Sequence, residues 1–116
     1  MCLNKIKKKY SKNDRMIVGY KIFIKQKDKL FPCFRKRVKP YKFGKHYRAT
    51  NGKIAINNFD KYDAGFHAFT SSKEARRICS KFEAVCEVFL WDIRAEGIDS
   101  KRKTIVAKNM MIVREV

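Results

Sequence analysis

The chain has 116 residues, a formal net charge of +18 and a hydrophobic share of 45%. This suits one domain with a single modest core and excludes wholesale disorder. No apolar run is long enough to span a membrane as a helix, and none follows the N-terminal lysines as a secretory signal would.

Taken in chain order, residues 1–15 read as a basic arm. Lys5, Lys7, Lys8 and Lys9 crowd together among few core formers, so this stretch is expected to be mobile or loosely docked on a body of residues 16–116. MIVGYKIFI (16–24) is a strand pattern, KQKDK a turn, and LFPCF a second extended piece. Pro32 and Pro40 disfavour a central strand between them, which leaves RKRVKPYKFGKHYRA as an irregular or edge-strand region. Asn51-Gly52 signals a hairpin between YRA and KIAI.

Tyr62 to Thr70 reads as a strand kinked at Gly65. Ser71-x-x-Glu74 is a capping box, in which the serine oxygen accepts a backbone N–H at the start of a helix. Ala75, Ile78, Cys79 and Phe82 then fall on one helical stripe. AVCEVFLWDI (84–93) is a strand with Val85, Phe89, Trp91 and Ile93 on one side, ended by Gly97 and followed by a basic loop, GIDSKRK. In the last strand, Val106, Met110 and Ile112 alternate with Ile105, Ala107, Met111 and Val113. The expected fold class is α+β: a single domain, mostly antiparallel, with about five or six strands and one amphipathic helix packed on them.

Charge carries the functional signal. Residues 1–53 hold 18 lysines and arginines against two carboxylates, whereas residues 54–116 hold 11 against nine. One half thus carries nearly all the field, as when a cationic face is presented to a polyanion. Lys7, Lys8, Lys9, Arg35, Lys36, Arg37, Lys39, Lys42, Lys45 and Arg48 are the candidate contacts to a nucleic-acid backbone. Acidic proteins and anionic lipids fit the same charge. Tyr41, Phe43 and Tyr47, interleaved with these cations, share a strand face and read as core; exposed, they would stack on unpaired bases. Helix-turn-helix, RNP, zinc-finger and KH signatures are absent, so no sequence-specific readout is expected.

Other chemistries find little footing. Cys33, His46, His67, Cys79 and Cys86 lack metal-ligand spacing, and no metal site is expected. The four cysteines, Cys2 included, form no framework and read as reduced thiols, which favours an intracellular setting. No nucleophile stands beside an obvious base, so no catalytic residue and no cofactor are assigned.

Two resemblances add to this. YKFGKHY, GFHAFTSSKEA, CEVFLWDIRAEG and TIVAKNMMIV together resemble a small domain of unknown function found in phages and large DNA viruses. The matching positions are Tyr41, Gly44, Tyr47, Gly65, Phe66, His67, Ala68, Gly97, Val106 and Ala107. That likeness implies a viral or phage origin, hence a host cytoplasm, a nucleus or a virion, and implies no activity. GFHAFTSSKEARRIC followed by VCEVFLWDIRAEG is similar to the NAD-binding corner of ADP-ribosyltransferases, and implies an NAD pocket built from Tyr20, His67, Phe69 and Ser71, with Glu115 the one late carboxylate. The residues taken alone read differently: Gly65 permits a bulge, His67 is a satisfied core histidine and Ser71 is an N-cap. The chain is therefore expected to be a non-catalytic accessory protein that binds polyanions. The alternatives are an NAD-binding transferase-like domain and a structural or host-interaction protein gripping an acidic partner.

Overall fold

The structure, a computed structural model, describes residues 3–32 and 39–116. Its spine is a long antiparallel hairpin of β8 (Glu83–Asp99) and β9 (Arg102–Glu115). Ser100 and Lys101, at φ 51° and 66°, form the two-residue connection, as a type I′ turn requires at both central positions. Midway along, Asp92 sits at φ 58° and the register shifts between Ile93 and Ala95. Such a bulge bends a strand and re-aims the side chains beyond it.

The bend lets each half of the hairpin take different neighbours. β2 (Met16–Gln26) pairs with the first half of β8, and β3 (Lys29–Pro32) returns beside β2 through Lys27 and Asp28, both at positive φ. β7 (Phe66–Phe69) pairs with β9 and meets β2 where Tyr20 opposes Phe69. These pairings, with β8 on β9, close a ring of four strands. Phe23, Ala68, Val88, Leu90, Ile93, Met110 and Ile112 fill it, all fully buried in one apolar cluster. Two further strands end the order: β1 (Lys5–Lys9) on the far half of β8, and β4 (His46–Arg48) on β9. A separate two-stranded sheet joins β5 (Lys53–Ala55) to β6 (Lys61–Asp63).

Two elements roof parts of the ring's outer surface. Helix α1 (Ser72–Ile78) packs Ala75 against Ile22, Phe69 and Val85. The β5–β6 pair brings Tyr62, Ile54 and Ile56 against Leu3, Ala95 and Val106. Residues 104–110 are buried along their whole length, with Ile105, Ala107 and Met110 in the ring's cluster and Val106 in the cluster under the β5–β6 pair.

Several expectations change. The sheet is larger than five or six strands, because β1 and β4 add edges: one sheet has seven strands and a second has two. The arm is no arm over its described part: β1 pairs with β8, Leu3 is 2% exposed, and Asn13 Nδ2 donates to the Ile93 carbonyl at 2.6 Å. Asn51-Gly52 links β4 to β5 in different sheets instead of turning a hairpin. The helix stops at Ile78, with Ala75 its one buried residue; Phe82 lies beyond it and is exposed. Ile93 leaves the face of Phe89 and Trp91 because the Asp92 bulge turns it inward.

Candidate functional site

The site divides into the corner at Gly65 and the cations at the sheet edges. In the corner, Ala64 and Gly65 separate β6 from β7, and a Cβ on Gly65 would strike the Ala107 carbonyl. The close approach places His67 inside, 4% exposed. Its Nδ1 lies 3.1 Å from the Gly65 carbonyl and its Nε2 2.8 Å from the Tyr62 hydroxyl, which itself accepts the Leu3 N–H at 3.0 Å. Those partners fix the neutral imidazole with the proton on Nδ1, so that Tyr62 donates to Nε2. Burial, assisted by the Lys21 charge, pushes the pKa down to about 3. The chain Leu3–Tyr62–His67–Gly65 staples the N-terminus to the corner.

The four residues of the NAD-like corner are not gathered around one opening. Phe69 is buried under α1 with Tyr20 packed beside it, and Ser71 Oγ accepts the Glu74 N–H at 3.3 Å as the helix N-cap. A cavity of about 290 Å³ does open beside the corner, lined by Lys21, Tyr41, Tyr47, Arg48, Phe66 and His67 among others; Tyr20, Phe69 and Ser71 are not in its wall. No carboxylate among the described residues lines it either. Glu115, the late carboxylate, instead pairs with Lys25 at 3.0 Å.

The cations sort by whether an acid answers them. Arg94 grips Asp92 at 2.9 Å and Asp63 at 2.6 Å, and Asp63 also meets Lys53. These contacts hold both carboxyls below their usual range, Asp92 through Arg94 and Asp63 through Lys53 first and Arg94 next. Glu87 meets Arg114 and Glu96 meets Arg15. Among the described residues, none of Lys7, Lys8, Lys9, Lys39, Lys42, Lys45 and Arg48 has a carboxylate within 4 Å. All seven are exposed. Arg35, Lys36 and Arg37 lie outside the described residues, as do Cys2 and Cys33.

These seven do not lie along one strand. Lys7, Lys8 and Lys9 ride on β1, whereas Lys42, Lys45 and Arg48 lie on and before β4, the opposite end of the strand order. Near β1, Lys9 joins Lys53 and Lys61 around a second cavity of about 280 Å³ that also holds Asp63 and Arg94. The interleaved rings split too: Tyr41 and Tyr47 pack edge-on at 4.7 Å and lie against the core, while Phe43 is exposed.

Clusters in the sequence do not reveal two further lysines. Lys21 Nζ donates to the His67 carbonyl at 2.7 Å, and Lys108, buried, donates to the Thr50 carbonyl at 3.1 Å. Each sits mid-strand in an apolar run, and that isolation is the signal that could have found them. Other chemistry is sparse. Cys79 and Cys86 are free, and burial pushes the Cys86 thiol up to about 12, far from a reactive thiolate. Among the described residues no three of His, Cys, Asp and Glu assemble as a metal site, and no helix is long and apolar enough to cross a membrane. The chain matches no family model, no curated protein and no solved structure.

Proposed function

We propose that this protein is a non-catalytic basic module that binds polyanions, nucleic-acid backbone foremost, with weak sequence preference. One observation carries the reading: among the described residues, the five acids that form ion pairs, Asp63, Glu87, Asp92, Glu96 and Glu115, all meet other cations, while the exposed cations of β1 and of residues 39–48 meet no carboxylate. Lysines on an edge strand also discourage strand-to-strand aggregation, which accounts for part of β1. It does not account for Lys42 and Lys45, which precede β4, or for a chain whose net charge is +18. Unanswered surface cations concentrate phosphates and release their counterions on binding.

The test is a salt titration with a 20-base-pair duplex. With about three phosphate contacts, affinity should fall about 40-fold between 50 and 200 mM NaCl. Joint replacement Lys42→Gln, Lys45→Gln and Arg48→Gln should remove most of the slope of log K against log salt, each lost phosphate contact taking about 0.9 from it. An affinity that ignores salt, or a slope unchanged by the triple replacement, removes the electrostatic account. Preference for a polyglutamate chain over the duplex would transfer the surface to an acidic protein partner.

A further inference from the structure

The outer surface of the ring has three parts. Helix α1 covers one and the β5–β6 pair another. The third is bare. Register aligns Met16 with Trp91 and Asn109, and Val18 with Phe89 and Met111, while β4 sets His46 beside Met111 and Arg48 beside Asn109. Leu90 and Met110, between these rows, point into the filled ring, so alternation sends the rows outward. The His46 ring, 4.8 Å from the Trp91 ring and with Nε2 2.8 Å from Asn109 Oδ1, fixes that direction. Met16 is 62% exposed and Val18 43%, with Phe89, Trp91 and Met111 half-buried around them. A joined apolar and aromatic patch on a folded body marks a contact surface.

We infer that this bare face binds single-stranded nucleic acid, with unpaired bases stacking on Phe89 and Trp91 and phosphates meeting Arg48 and His46; the inference rests on the polyanion reading above and names the strand state it prefers. Charge decides the occupant. A second copy of a chain bearing +18 would be repelled, and an apolar protein partner would gain nothing from the cationic β4 rim. Arg15 and Arg114, at the other margins, are each offset by a glutamate, so the positive side of the face is the β4 side. Phe89 and Trp91 stand two residues apart on one strand, about 6.7 Å. That is twice the roughly 3.4 Å step between bases in a duplex strand, so neighbouring bases must part to reach both rings. A duplex cannot offer that, whereas single strands stack readily on such platforms next to cations.

Trp91 is the single tryptophan of the chain, so its emission reports this face alone. A 12-nucleotide single strand and the duplex of the same length are titrated at 50 mM NaCl, following both Trp91 emission and anisotropy of the labelled oligonucleotide. The single strand should bind at least tenfold more tightly and quench Trp91. Phe89→Leu, which keeps apolar volume without a ring, should weaken single-strand binding about tenfold and leave duplex binding within twofold. Equal binding of both forms with unchanged emission overturns the stacking face and leaves the polyanion reading standing. Failure of both forms to bind overturns the two together. Quenching by polyglutamate in place of the single strand also overturns it. The quench is read on the unaltered protein, so the test holds even where the variant does not fold.

Discussion

Gly97→Ala should lower folding stability by about 3 kcal/mol, the upper end of the range for overpacking a close-packed site. A Cβ there would overlap the Lys5 carbonyl oxygen and come within 2.9 Å of Leu3 Cδ1. The first of these is backbone, so no side-chain rotation relieves it. Either β1 lifts from β8 or the hairpin distorts at its far half. Lifting β1 exposes the apolar Leu3 side chain and strips its N–H from the buried Tyr62 hydroxyl. Urea unfolding should therefore show a lower midpoint, and trypsin should cut the variant at Lys5 to Lys9 under native conditions while sparing the parent. A wild-type midpoint with β1 still protected would mean that the close approach at Gly97 does not constrain the β1–β8 pairing. Gly44→Ala is the contrasting control. Its φ is 74° but nothing lies within 4 Å of the added Cβ, so the cost is conformational strain alone, about 1–2 kcal/mol.

How far the sequence revealed this architecture depends on whether a feature was local. The Ser71 cap, the Gly65 break, the Lys27-Asp28 turn and the satisfied His67 are written in a few adjacent residues, and they stand where the local chemistry places them. The ring is different. It needs Tyr20 opposite Phe69 and a strand bent at Asp92, and neither is visible without the partner strand. β1 was hidden for a related reason. Its residues are lysines, which carry low strand propensity, and pairing with β8 overrides that propensity. The helix was overextended because Phe82 continues the apolar period after Cys79 has already turned to an extended conformation at ψ 128°. For the candidate surface, the charge asymmetry was plain, but its division between β1 and β4 follows only from strand order. The bare face was harder still. Phe89 and Trp91 have the composition of core residues, and they lie outside because Val88 and Leu90 occupy the inside and no roof among the described residues reaches them.

Acidification from pH 7 to 4.5 should cost the folded state about 2.5 kcal/mol through His67 alone, with the loss setting in below pH 6.5. In the unfolded chain this histidine has its ordinary value near 6.5, whereas in the fold it is pushed down to about 3. Between those values the unfolded chain holds a proton that the folded chain refuses. The unfolded state then binds more protons, so stability rises with pH across the window, is complete above 6.5 and has lost this contribution near 3. The cause is structural. Protonation would put a second N–H on Nε2, where the Tyr62 hydroxyl now donates, in a buried setting with Lys21 nearby and no carboxylate partner. Asp63 and Asp92, held below the usual carboxylate range, stay ionised down to pH 4.5 and do not confuse the measurement. His67→Gln can still accept from Tyr62 and donate to the Gly65 carbonyl, but it cannot titrate. Urea midpoints for parent and variant should therefore converge as pH falls, with the parent losing its advantage between 6.5 and 4.5. Parallel curves for the two proteins would show that some other group senses the acid. Since exposed lysines and arginines keep their charge over this whole interval, polyanion affinity measured on the fraction still folded should persist while stability declines.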